Sequence, residues 1–268
     1  MLELVTLISW EELKHSIKNL SNSKSPGLND VPTDAFKALD DQNLLTLMKL
    51  FNSYWLEESY FTECHEGQLV QVSKSRDLSN PNKWREVILM EIGSKIFSII
   101  LCTRLFKIIR RHGVKYQLGL RPGVGCQDGS FAIKTMLHLQ FNHNLPTFVI
   151  FSDILKDFDT SNHKLMVEIL KKYGCPPELC SAIRRIYTNN NLKLIIVKID
   201  ISIPSKVGVK QGDSVAPVLF LFVIMEFTET IEKEWVRNYL KMIKFKQHSN
   251  SSQFSAESPA NLQIHSPM

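Results

Sequence analysis

The run from Thr147 to Asp153, TFVIFSD, introduced by Pro146, restricts the fold of this chain more than any other segment. It is short, nearly continuous in apolar residues, and ends in an acid. Alternation would mark a strand with one wet face. An unbroken apolar run of this length predicts a buried central strand, covered on both sides. Helical spacing dominates the rest of the chain. Ser9-Trp10-Glu11-Glu12 has the form of a capping box, and Leu13, Ile17 and Leu20 follow it at helical intervals. A helix is expected from Asp34 to about Tyr54, with Phe36, Leu39, Leu47, Leu50, Phe51 and Tyr54 on its apolar face. Another is expected from about Glu91 to Arg111, with Ile92, Ile96, Ile99, Ile100 and Leu105 facing inward.

Between these helices the pattern changes. Residues 21–30 (SNSKSPGLND) form a loop rich in turn formers, and residues 62–83 read as a short strand around Leu69 to Val72 followed by polar loop. Gly119 to Gly125 is a Gly/Pro loop that leads into a helix reaching about Leu139. After the central run, a helix from His163 to Tyr173 ends at Gly174, a C-cap, and Pro177 opens the next helix at its first position. Leu192 to Ile199 and Ile201 to Val207 read as paired strands with a turn near Asp200. A helix from about Ser214 to Trp235 follows. Residues 236–268 form a polar tail, expected to be disordered at least from 247, where Ser, Asn and Gln dominate. The mixture of helices and few strands is that of an α+β chain.

Composition sets bounds on function. A hydrophobic fraction of 44% over 268 residues supports a real core and one domain, with room for two lobes. The net charge of +5, from 32 basic and 27 acidic residues, is compatible with a nucleic-acid partner without establishing one. Five scattered cysteines, an odd number with no C-x-x-C pair, read as reduced thiols of an intracellular protein. The apolar run Val215 to Met225 is too short to span a bilayer, and the first residues lack a basic signal region, so no membrane partner is expected. Walker A, H-E-x-x-H, EF-hand and G-x-S-x-G patterns do not occur.

The residues with chemistry to offer lie at the exit of the central run. A rigid strand that delivers Asp153 to its end is where two-metal phosphoryl transfer needs a carboxylate, because hard Mg²⁺ takes oxygen ligands and must be held fixed. A single Asp at a strand end is also what a helix cap or solvated turn looks like. The surrounding residues, Asp153, Lys156, Asp157, Phe158, Asp159, Ser161 and His163, resemble the first catalytic motif of reverse transcriptases from LINE-type (non-LTR) retrotransposons, D-x-x-K-A-F-D-x-V-x-H. Other segments agree with the same family and in the same order. Lys24-Ser25-Pro26-Gly27 resembles its K-S-P-G start. Residues 70–89 resemble the fingers segment in which a Lys precedes N-x-R-P-I-S-L, with Glu86 in place of the Pro. Residues 117–128 follow Q-x-G-F-x-x-G-x-x-x-x-D, with Leu120 for Phe. Residues 208–220 resemble G-V-x-Q-G-x-x-x-S-P-x-L-F, with Ala216 for Ser.

The resemblance covers about residues 9 to 235 and implies the fingers (about 9–146) and partial palm (about 147–235) of a right-hand polymerase, after an N-terminal lead of residues 1–8. An antiparallel palm sheet is part of that expectation. It implies an RNA-directed DNA polymerase by descent, with RNA template, DNA primer, deoxynucleotide triphosphates and Mg²⁺. Asp153 and the backbone carbonyl of Ile154 would ligate the metal. Lys74 and Arg85 would clamp the triphosphate. Phe158 would pack under the nucleotide sugar or, equally, serve as a core residue. Gln211 and Gly212 would abut template base and nucleotide. The family's aromatic-Ala-Asp-Asp motif has no counterpart: no Asp follows Asp213, and the later acids are Glu226, Glu229, Glu232, Glu234 and Glu257. The chain is therefore expected to be truncated before that motif, to lack the thumb, and to be catalytically inactive alone. The alternatives are a non-catalytic module that binds RNA or an RNA–DNA hybrid, and a decayed remnant without function.

Overall fold

A computed structural model describes residues 4–59, 61–74, 76, 79–80, 83–112, 117–120, 123–147, 149, 151, 154, 157–196 and 199–249. Helix α1, Trp10–Lys18, carries the expected capping box: the Glu12 amide donates to Ser9 Oγ at 3.2 Å, and the Ser9 amide donates to Glu12 Oε2 at 3.1 Å. The next expected helix is two. Helix α2, Thr33–Lys37, stops at Ala38, and α3, Asp41–Trp55, starts afresh because Asp40 caps it by accepting from the Asn43 amide at 2.8 Å. Phe51 and Tyr54 are buried as their spacing requires, whereas Leu50 is exposed.

Helix α4, Ile92–His112, is the centre of the core. Twelve of its residues are buried, on nearly every side, as a helix surrounded by others must be. Phe51, Phe61 and Tyr54 meet Phe97 or one another edge-on or tilted, with ring centroids 5.3–5.9 Å apart. Arg104 is wholly buried among them. Its guanidinium donates to both Glu12 carboxylate oxygens, at 2.9 and 2.7 Å, and to the Thr6 carbonyl, and it lies 4.6 Å from the Trp55 ring. That fork ties α1 to α4. Helices α7, His163–Lys172, and α8, Pro177–Tyr187, pack together, with Met166, Leu170, Leu179 and Ile183 in the core. Gly174, with φ of 74°, makes the turn between them, and Pro177 holds the first position of α8, as the sequence predicts.

Strands β1, Glu66–Ser73, β2, Trp84–Leu89, β3, Asn190–Ile196, and β4, Ile199–Ser205, form one sheet in the order β2-β1-β3-β4. The β1–β2 and β3–β4 pairs are antiparallel, but β1 and β3 are parallel. The sheet is therefore mixed; its pair within residues 147–235, β3–β4, is antiparallel, and the parallel step joins it to β1. The β3–β4 turn falls between Ile196 and Ile199, which pair with each other, and Asp200 is already opposite Ile195. Strand β2 carries no Pro or Gly and pairs along its length with β1 (Gln68↔Leu89 to Ser73↔Trp84), a strand that apolar periodicity alone does not mark.

Of the central run, Phe148, Ile150, Ser152 and Asp153 lie outside the described residues. Its described residues, Thr147, Val149 and Phe151, belong to no strand, and Phe151 is 87% exposed. A buried strand needs a ladder partner on each side, and no described residue pairs with these. Helix α5, Cys126–Asn142, precedes them with none of its residues buried. The short α6, Asp157–Thr160, follows.

The chain divides into two units, Met1–Met225 and Glu226–Met268. Helix α9, Ala216–Ser249, runs past the Trp235 at which helical patterning was expected to give way to tail, and residues 247–249 are helical; residues 250–268 lie outside the described residues. In the second unit Glu229–Lys233 and Glu234–Arg237 make ion pairs at 3.5 and 2.5 Å along the helix. Among the described residues no helix is long and apolar enough to cross a membrane. All five cysteines are free thiols.

Candidate nucleic-acid interface

The hairpin β1–β2 sets the two basic candidates. Arg85 stands opposite Val72, and the Lys74 amide continues the ladder by donating to the Lys83 carbonyl at 2.7 Å. Only Ser73 separates Val72 from Lys74, so the Lys74 and Arg85 side chains share one face at the diagonal spacing, roughly 7–8 Å between backbones. Both are exposed. Glu86, where the family pattern has Pro, remains in the strand opposite Gln71, so β2 keeps its course through Arg85.

The segment after β4 closes against β2 and against the start of α7. The Gly208 amide donates to the Ser161 carbonyl at 2.8 Å, and the Val209 amide to the Phe158 carbonyl at 2.7 Å. His163 Nε2 lies 2.6 Å from the Gly208 carbonyl oxygen. On the other side, the Ile88 amide donates to the Gln211 carbonyl at 2.7 Å. Gly212 has φ of 117°, and a Cβ placed on it would stand 2.5 Å from the Ile88 carbonyl oxygen. Backbone conformation and contact both demand glycine here. The fold thus brings together residues 158–163, 208–212 and the strand that carries Arg85. A cavity of about 120 Å³ lies between the sheet and residues 205–211, bounded by Glu86, Ile88, Val207 and Gln211.

Phe158 is half-buried. It stacks on Phe220, ring centroids 5.2 Å apart and planes 26° apart, and packs against the main core. Ile154 is exposed and outside regular structure. Asp153, together with Lys156 and the side chains of Asp157 and Asp159, lies outside the described residues. Among the described residues no three His, Cys, Asp or Glu side chains gather as a metal site requires.

What holds the Gln211-Gly212 turn was not apparent from sequence. The two charged residues that flank it, Lys210 and Asp213, are both buried, 2% and 4% exposed. Lys210 Nζ donates to the Cys64 carbonyl at 2.5 Å. Asp213 accepts from the Tyr187 hydroxyl and from the Val215 amide, each at 3.2 Å, and its own amide donates to the Lys210 carbonyl. Burial pushes the Lys210 pKa down while the Asp213 charge opposes the shift; burial pushes the Asp213 carboxyl up while Lys210 and the Ser98 hydroxyl oppose. The same burial raises the Cys64 thiol to about 12 and the Tyr187 phenol well above its ordinary value. Each charge is tolerable only because the other and the hydrogen bonds compensate its lost hydration. The readable signal was a Lys and an Asp bracketing Gln-Gly immediately before a long apolar helix.

The model of the family described as reverse transcriptase (RNA-dependent DNA polymerase) matches residues 72–250, two thirds of the chain. The chain belongs to the reverse transcriptase family. Its relatives include the transposon TX1 uncharacterized 149 kDa protein of Xenopus laevis, 24% identical over 89% of this chain, and the retrovirus-related Pol polyprotein from type-2 retrotransposable element R2DM of Drosophila melanogaster, 24% identical over 85%. A probable RNA-directed DNA polymerase from transposon BS of the same fly is 24% identical over 80%. The chain spans 18% to 24% of the length of these three relatives. A chain of a solved partial Cas6-RT-Cas1–Cas2 complex matches 93% of this chain over 42% of its own length at 14% identity, with a TM-score of 0.45. The family expected from the ordered motifs is the family found: a reverse-transcriptase domain similar to those of non-LTR retrotransposons.

Proposed function

We propose that the chain forms the fingers (about 9–146) and part of the palm (about 147–235) of an RNA-directed DNA polymerase, and that these residues hold template and nucleotide but do not polymerise unaided. The observation that carries this reading is the seating of the Gln211-Gly212 turn on β2, three residues from Arg85. The missing side chain at Gly212 lets the turn lie directly against the Ile88 carbonyl of β2, which fixes Gln211 and Gly212 beside the strand that carries Arg85. Lys74 and Arg85 offer charge-assisted bonds to a triphosphate from one face of the hairpin. The half-buried Phe158 ring, stacked on Phe220, offers a firm edge under a sugar. By family position Asp153 and the Ile154 carbonyl contribute ligands to Mg²⁺, which would supply charge neutralisation at the reacting phosphate. No Asp follows Asp213, so these 268 residues do not bring the second carboxylate pair that a two-metal reaction needs.

The test is primer extension on an RNA template with a DNA primer, in Mg²⁺ and separately Mn²⁺, with Asp153→Asn beside it. Extension no greater than in Asp153→Asn is the expected result. Extension that Asp153→Asn abolishes sinks the inactivity claim. The densely packed core around α4 favours a binding module without chemistry over a decayed remnant, since a remnant has no reason to retain it. Cooperative unfolding together with salt-dependent RNA binding is the outcome that reading requires.

A further inference from the structure

A second cavity, of about 620 Å³, opens beside the Gln211-Gly212 segment and shares Val207 with the smaller one. Its walls come from α7, α8 and the end of β4. Four cations line it, Lys164, Lys171, Arg184 and Lys206, against a single carboxylate, Glu168. None of the four makes an ion pair among the described residues, although Arg184 also feels the charge of the exposed Glu57. His163 forms part of the floor. Its ring leans on Tyr187 with centroids 5.3 Å apart, and its Nε2 is tied to Gly208, so the cleft is rigidly joined to the turn.

This concentration of charge is costly to keep together without a counter-charge. Lys164, Glu168 and Lys171 occupy one face of α7 at helical intervals, and the two lysines are about 10.5 Å apart along the axis at 1.5 Å per residue. That distance corresponds to roughly three nucleotides of a helical strand at 3.4 Å each. One small anion would meet one or two of these groups; a polyphosphate chain meets all four. We propose that this cleft binds the sugar-phosphate backbone of a single-stranded RNA segment, outside the nucleotide and template position at Gln211-Gly212. The identity of the partner rests on the reverse-transcriptase reading above; the charge arrangement does not. The lining offers no exposed aromatic ring on which a base could stack, so binding here is indifferent to base sequence.

The experiment is fluorescence anisotropy of a short labelled single-stranded RNA titrated with the 268-residue chain at several salt concentrations. The combined variant Lys164→Gln, Lys171→Gln, Arg184→Gln and Lys206→Gln is compared with a control of equal charge, Lys18→Gln, Lys49→Gln, Arg110→Gln and Arg111→Gln, whose four exposed cations do not line the cleft. Each phosphate contact adds about 0.7 to the slope of log affinity against log salt, so the cleft variant is expected to lose about 2.8 of that slope and at least about tenfold in affinity at low salt. Glu168→Gln is expected to tighten binding. Equal losses in cleft variant and control, or no loss in the cleft variant, overturn the proposal. Polyglutamate that competes with RNA and depends equally on the four cations also overturns it, in favour of an acidic protein partner. Gln211→Ala separates the two readings: if it weakens binding and the cleft variant does not, the turn stands and the cleft falls. If the parent chain binds no RNA, both fall.

Discussion

Helices α4 and α5 are both rich in large apolar residues, and their fates are opposite. In α4, Phe97, Ile96, Leu101 and Leu105 are fully buried. In α5, Phe131 is 73% exposed and Phe141 79%, and Phe151 beyond it is 87% exposed. Composition does not separate them. The difference is what surrounds each: α4 packs on α1 and α3 and shares one buried cluster with residues of α7, α8 and the start of α9, whereas α5 has no buried residue. Hydrophobic burial is a property of a pair of surfaces, and one amphipathic or apolar segment supplies only half of it.

The contrast makes measurable claims, the largest on the buried side. Phe97→Ala removes a ring that Phe51 and Tyr54 meet edge-on, and is expected to cost about 3–5 kcal/mol by urea unfolding. A cost below about 1 kcal/mol would show that the core around α4 is not packed as described. Gly212→Ala tests the seam between the core and the candidate interface. The φ of 117° and the 2.5 Å approach to Ile88 predict a loss of roughly 1–3 kcal/mol together with weakened RNA binding. Normal binding at reduced stability would detach the turn from function.

Acid tests the same core through Glu12. Burial acts to raise its carboxyl, but the Arg104 fork and the Ser9 amide outweigh this and hold it below the ordinary glutamate value. A depressed pKa gives stability that is complete above about 4.3, the unfolded value, and is lost as pH falls through the lower folded one. Glu63 and Glu91 run the other way: burial raises both, so each weakens the fold at neutral pH and ceases to do so once protonated. Between pH 7 and 3 the parent should therefore lose more stability, or gain less, than Glu12→Gln, which lacks the Glu12 contribution. An unchanged slope in Glu12→Gln would show that the Arg104 pair is not made in solution. The smallest effect belongs to the uncovered side. Phe131→Ser should change stability by no more than about 0.5 kcal/mol and reduce self-association in sedimentation. A cost near that of Phe97→Ala would mean that α5 is covered after all, and the comparison would collapse.

Local chemistry was legible without the structure wherever it was self-contained. The capping box at Ser9 and Glu12, the helix at Ile92, the Gly174 turn, Pro177 at a helix start and the order of the family's motifs all depend on residues within a few positions of one another. So did the choice of Gln211 and Gly212, though not the reason glycine is required, which is the carbonyl of Ile88 more than a hundred residues earlier. The burial of Lys210 and Asp213 likewise depends on Cys64, Ser98 and Tyr187, each on a different element, and no spacing rule announces it. The described residues of the Thr147 to Asp153 run, Thr147, Val149 and Phe151, show the limit most clearly. Its apolar side chains specify a strand only if neighbours arrive to complete the ladder, and that is decided by the chain around it. Sequence determined which segments could be buried and which family they came from; tertiary structure decided which of them found a partner, because burial and hydrogen bonding are completed only between surfaces that the fold brings together.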